Sequence, residues 1–232
     1  MTTTDLPRTL VAPLVYPESD GQPMAENTEQ FRWIALVKEN LESLFASQPD
    51  VFVAGDLLWY PVEGRPDIRR APDALVAFGR PAGYRGAYLQ WKEGGIAPQV
   101  VFEILSPSNT EEEMRQKVTF YELYGVEEFY IYDPERYVVT GYRRERGQLR
   151  EIMPMDGWVS PRLGISFDTR AGELVLRYPD GQPFLDFVTE RSRRQAAEAQ
   201  IALEQHARAE AEARAARLAA RLRALGLDPE DA

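Results

Sequence analysis

Cysteine is absent from the 232 residues, which removes disulfides, thiolate metal sites and thiol nucleophiles. The single histidine, His206, lies in an Ala/Glu/Arg-rich tail, so Ser-His-Asp triads, His-rich zinc sites and histidine-based nuclease chemistry have no material in the rest of the chain. Lysine is nearly as scarce. None of Lys38, Lys92 and Lys117 follows a glycine, which excludes a P-loop, and no GxGxxG supports a dinucleotide site. No apolar run approaches the length needed to span a bilayer, and Met1 to Leu10 lack a basic head followed by an apolar stretch. The expectation is a soluble, cytoplasmic protein without a membrane partner. Chemistry in the core must then rely on carboxylates, a lysine, hydroxyls or a metal-bound water.

What is present begins with Val100 to Ser108, VVFEILSPS. A run of branched and aromatic residues closed by Ser-Pro reads as a strand buried on both faces. An unpaired carboxylate there costs several kcal/mol (~3 or more), so Glu103 must be hydrogen-bonded, ion-paired or bound to a cation. Either it sits at the strand end, facing solvent or an arginine, or it serves a site.

Residues 1–24 read as irregular. Over 26–46, Phe31, Ile34, Ala35, Leu41, Leu44 and Phe45 recur near helical spacing and predict an amphipathic helix. Strands are expected over 51–60, 72–78 with Asp73 at the entrance, 100–105 and from Val126 on, with a short helix around 88–93. Thr110 followed by Glu111, Glu112 and Glu113 has capping-box spacing, and Gly125 supplies a stop, so a helix runs over 111–124. Its inward stripe is Met114, Val118 and Tyr121, with Lys117 on or beside it. A hairpin is expected over 137–153, with short strands near 165–167 and 173–177. This order predicts an α/β architecture with one central mixed β-sheet flanked by helices. A domain over 1–188 is followed by a helical tail over 189–232, predicted helical from Glu190 to Leu225 and stopped by Gly226 and Pro229. Its heptads are irregular, so it is either a solvated single helix or a coiled-coil device for a homodimer or a helix-mediated protein partner.

Asp73, Glu103 and Lys117 form a constellation. Two carboxylates at neighbouring strand ends can hold a hard divalent cation, and a lysine beside them either snorkels past the core or orients a water and stabilises developing charge.

The stretches RRAPDALVAF, PQVVFEILSPSNTEEEMRQKVTFYELYGVEEFYIYDP and, more weakly, YPESDGQPMAENTEQ resemble the Uma-type restriction endonuclease family of the PD-(D/E)XK nuclease superfamily, over roughly residues 16–180. The resemblance implies a restriction-endonuclease-like core and hydrolysis of DNA phosphodiesters with Mg2+ or Mn2+. By position, Asp73 matches the Asp of the Pro-Asp motif and Glu103 the following carboxylate, which makes them the implied metal ligands. Leu105 stands where the simple motif has lysine. The family places that lysine on the next helix, which Lys117 with Tyr121 matches. An acid at the first helix that assists the site matches Glu26, with Glu29 as the alternative, and Gln30 and Phe31 stand where related sequences carry a histidine.

Charge runs against DNA binding. From Thr189 on, eight acids balance eight arginines, so the net charge of −10 lies on residues 1–188. Residues 65–92, with six basic and two acidic side chains, and 136–150, with five and one, either flank the mouth of a site or are solvated surface. A competing expectation is therefore a catalytically silent nuclease fold that acts as an interaction or regulatory module through its C-terminal helix. Hydrolysis of a phosphoester outside nucleic acids is a third.

Overall fold

The structure, a computed structural model, describes residues 14–224. The expectations for Met1 to Leu10 and for the stop at Gly226 and Pro229 lie outside the described residues. Contacts divide the chain between Phe184 and Leu185 into two compact units.

The first unit is a mixed α/β fold. Six strands form one sheet: β1 (Val51–Ala54), β3 (Ala74–Phe78), β5 (Val100–Ile104), β6 (Glu128–Asp133), β7 (Val138–Glu145) and β8 (Gln148–Glu151), in that spatial order. Within this sheet only β5 and β6 run parallel. Parallel neighbours need a crossover, and α2 (Glu111–Tyr124) supplies it. Two short pairs complete the unit: β2 (Trp59–Tyr60) beside β4 (Tyr88–Leu89), and β9 (Ser166–Asp168) beside β10 (Val175–Arg177).

Side chains alternate across the sheet and build two cores. Val100, Phe102 and Ile104 join the cluster containing Trp33, Val37 and Leu41 of α1 (Thr28–Phe45). Val101 joins the opposite cluster with Tyr121 of α2 and Phe129. The same alternation sends Glu103 to the α2 face.

Several boundaries differ from expectation for local reasons. Asn27 rather than Glu26 starts α1, because its side chain accepts the Gln30 N–H at 2.8 Å. Phe31 is exposed, and the buried stripe follows Trp33, whose ring lies 4.4 Å from that of Tyr132. The strand expected over 51–60 breaks after Ala54, where Asp56 takes a left-handed φ of 48°. Residues 88–93 form a short strand and a 3-10 turn instead of one helix. The helix over 111–124 is as expected: Thr110 Oγ1 accepts the Glu113 N–H at 3.2 Å, and Gly125 ends it with a φ of 101°.

A second buried strand carboxylate, Glu128, is satisfied by donors of the protein itself. It accepts from Tyr130 Oη at 2.9 Å, from the Arg162 N–H at 2.9 Å and from Ser160 Oγ, and so ties the 160–163 loop to β6. Glu128→Ala strands these donors and is expected to cost about 3 kcal/mol or more in urea unfolding.

The second unit contains α3 (Phe187–Ala224), a 38-residue helix with Ile201, Leu203 and Leu218 exposed. Exposed ion pairs such as Arg194–Glu198 and Arg208–Glu212 join positions four apart along it. No described helix is long and apolar enough to cross a membrane.

Candidate active site

Three elements bring the predicted residues together. Ala74 pairs with Phe102 and Leu75 with Val101, and continuing this register by one residue sets Asp73 across from Glu103. Both then point to the α2 face. Asp73 Oδ2 accepts the Ile104 N–H at 2.6 Å, which locks the entrance of β3 to the end of β5.

Glu103 is 2% exposed. Its Oε2 accepts from Lys117 Nζ at 2.9 Å, and its Oε1 accepts a short hydrogen bond from the Tyr121 hydroxyl. Lys117 and Tyr121 lie one turn apart on α2, so a single helix face supplies both donors. Tyr121 is held in turn by the Trp59 ring, stacked with centroids 6.2 Å apart, and by Phe129 at 4.8 Å. Lys117 also meets Glu113 at 3.6 Å.

The electrostatics follow from crowding. Burial, and then the charge of Glu103, push the Asp73 carboxyl well above the ordinary carboxylate range against the pull of the Ile104 N–H and Lys117. Desolvation opposes the charge on Lys117, yet Glu103 outweighs it and raises the ammonium pKa. Burial and Glu103 likewise raise the Tyr121 hydroxyl, which keeps it a donor at neutral pH.

Glu26 stands at the same cleft just ahead of α1. Its Oε1 accepts from Ser108 Oγ at 2.5 Å, and the hydroxyls of Ser108 and Ser106 hold its pKa below the usual value. Gln30 positions it: Gln30 Oε1 accepts the Glu26 N–H at 2.9 Å while Nε2 donates to the Ile104 carbonyl at 2.9 Å. Of the two acids, Glu26 is the one that lines the cleft. Glu29 is engaged by Arg32 and by Trp33 Nε1 and does not line the cleft.

The cleft has a volume of about 820 Å³ and is lined by Glu26, Asp73, Lys117, Asp56, Arg69 and Arg70 among others. Sequence reasoning misses Asp56. Burial raises its carboxyl pKa first, followed by the charges of Asp20 and Glu103. The hydrogen bond from its N–H to Pro72 O at 3.1 Å ties it to the Asp73 segment. Its only sequence signal is an acid after a glycine at the end of an apolar run. Among the described residues no group of three or more His, Cys, Asp or Glu side chains is arranged to hold a metal ion.

A search of curated proteins found no match. Among solved structures the chain is similar to the crystal structure, at 1.96 Å resolution, of "a putative nuclease belonging to DUF820" from Anabaena variabilis ATCC 29413. The two share 17% identity over 60% of this chain and 74% of that one, with a TM-score of 0.44. The family model Uma2, "Putative restriction endonuclease", matches residues 18–170, about two thirds of the chain, a span that contains Glu26, Asp73, Glu103 and Lys117. The chain belongs to the Uma2 family.

Proposed function

We propose that the cleft hydrolyses DNA phosphodiesters with a divalent cation, Mg2+ or Mn2+, held by Asp73 and Glu103. The observation that carries this reading is the pairing of two strand-end carboxylates on one face, with an ammonium bound to Glu103 and an open cleft that Asp73 and Lys117 line. The donor set suits a hard cation by charge: Glu103 and Glu113 meet the ammonium of Lys117 at 2.9 and 3.6 Å, the charge of Asp73 also reaches it, and the Asp73 pKa is raised by burial and by the charge of Glu103. Such an ion supplies neutralisation of phosphate charge and a lower pKa for a coordinated water.

The chain's own groups do the rest. The hydroxyl of Tyr121 fixes one oxygen of Glu103 so that its carboxylate cannot rotate away. Lys117, charged at neutral pH, lines the cleft, where its remaining donors can orient a water and stabilise charge developing on phosphate oxygens. Glu26, ionised and clamped by Ser108 and Gln30, offers an acceptor for a water proton at the cleft wall.

Specific observations favour a second reading, a catalytically silent interaction module. Both oxygens of Glu103 are already satisfied by Lys117 and Tyr121, and among the described residues no three-membered metal-ligating group exists. The long helix with Ile201, Leu203 and Leu218 exposed is the surface such a module uses.

Supercoiled plasmid incubated with full-length protein and Mn2+ or Mg2+ separates the two. Nicking by wild type that falls by about 100-fold or more in Glu103→Gln supports hydrolysis. A folded wild type that cuts no DNA with either ion supports the module, whose self- or partner association Leu203→Glu then abolishes in sedimentation.

A further inference from the structure

The basic segment 65–92 divides sharply by partner. Arg65 pairs with Asp67 at 2.6 Å, and Arg85 pairs with Glu93 at 2.7 Å while its guanidinium lies 3.9 Å from the Phe52 ring centroid. Arg65 and Arg85 are thus occupied by acids, and Arg80, which donates to the carbonyl of Gly79, does not line the cleft.

Arg69 and Arg70 are different. Both are half-buried and both line the cleft beside Asp73 and Lys117, yet among the described residues neither forms an ion pair. Arg69 Nη1 donates to Pro66 O at 3.0 Å, Arg70 Nη1 donates to Arg69 O at 3.1 Å, and the Arg70 guanidinium rests 5.3 Å from the Phe120 ring centroid. A guanidinium carries five N–H donors, and a partly desolvated one ordinarily takes an anion. Here the protein supplies carbonyls, the Tyr60 hydroxyl beside Arg69 and an aromatic face.

Their placement is fixed relative to the carboxylates. The Arg70 carbonyl accepts the Trp59 N–H at 2.8 Å, and the Arg70 N–H donates back to Trp59 O at 3.2 Å. The Trp59 ring stacks on Tyr121, the donor to Glu103. The charge of Arg70 reaches the Tyr121 hydroxyl and opposes the rise of its pKa.

We propose that Arg69 and Arg70 are the phosphate-holding residues of this cleft, gripping the DNA backbone next to the bond presented to Asp73, Glu103 and Lys117. The proposal rests on the reading of the cleft as a phosphodiester site. Because Asp20, Asp56 and Glu26 line the same cleft, a polyanion is repelled except where these two guanidiniums and Lys117 meet it. DNA therefore engages through few phosphates, which reconciles DNA binding with the acidic surface.

The test is anisotropy of a labelled DNA duplex against salt concentration, with calcium as the divalent ion and the full-length protein. Each of Arg69→Gln and Arg70→Gln is expected to lower affinity about tenfold and to flatten the log–log salt slope by about 0.9, one released counterion per arginine. Arg69→Lys and Arg70→Lys restore the slope, since a point charge keeps the counterion effect while losing the planar fork. Arg85→Gln, whose guanidinium is committed to Glu93, leaves the slope unchanged. A slope unaltered in Arg69→Gln and Arg70→Gln, with binding intact, overturns the inference and leaves the hydrolytic reading standing. An arginine-dependent slope in a protein that never cuts with Mg2+ or Mn2+ supports the inference and removes the hydrolytic reading. A wild type that binds no duplex overturns both.

Discussion

Lys117→Met is expected to destabilise the protein by about 3–5 kcal/mol and to lower DNA cleavage by about 100- to 1000-fold. Glu103 is 2% exposed and receives one ammonium and one hydroxyl. Removing the ammonium leaves a buried carboxylate with Tyr121 alone, and an uncompensated buried charge costs far more than the intact pair contributes. Urea unfolding and the nicking rate of the same preparation read the two effects separately. The double variant Lys117→Met/Glu103→Leu should recover most of the stability, because a packed apolar pair can replace a buried ion pair, while cleavage stays lost. A single variant that unfolds within about 1 kcal/mol of wild type would mean that Lys117 points to solvent instead of to Glu103.

The second large effect has the opposite sign. Asp73→Asn should make the metal-free protein more stable at neutral pH. The folded-state pKa of Asp73 is raised by burial and by Glu103, so the folded protein holds a proton that the unfolded chain releases at the ordinary Asp value. Stability of the metal-free wild type therefore falls as pH rises from that ordinary value through the raised one, and the full penalty is present above it. Asparagine keeps an acceptor for the Ile104 N–H and carries no charge, so it removes this slope. Acids with depressed pKa values, such as Glu26, Glu29 and Glu112, impose the reverse slope, but they are common to both proteins and cancel in the difference. Saturating Mg2+ should reverse the ranking, because a ligand that binds only the folded wild type stabilises it by mass action. Urea midpoints across pH, with and without Mg2+, check all of this. An Asp73→Asn variant less stable than wild type at neutral pH without metal contradicts the assignment of repulsion between Asp73 and Glu103.

The central pair was legible because strand period and helix period are short-range rules. A carboxylate inside VVFEIL and a lysine one turn from Tyr121 on a capped helix are visible locally, and their meeting follows once β5 and α2 are consecutive. Features that depend on long-range pairing were not legible. Gln30 binds the Ile104 carbonyl 74 residues away, so nothing around Gln30 announces that its amide bridges α1 to β5. Asp56 enters the cleft because the chain turns through a left-handed φ at Asp56, two residues past the end of β1, where alternation no longer predicts direction. Among the basic side chains of 65–92, composition cannot separate Arg85, committed to Glu93, from Arg69 and Arg70, because the distinction lies in tertiary partners. Glu103 itself shows the difference between a correct suspicion and a complete answer: the sequence demands neutralisation, and the fold supplies it from α2.

The claim that Asp73 and Glu103 form a cation site is tested most directly by calorimetric titration of Mn2+ and Mg2+ into wild type and Asp73→Asn, without DNA. The account predicts saturable binding to the wild type that is lost in Asp73→Asn while the variant stays folded. Saturable binding that persists unchanged in the variant, or a folded wild type that takes up neither ion, contradicts it.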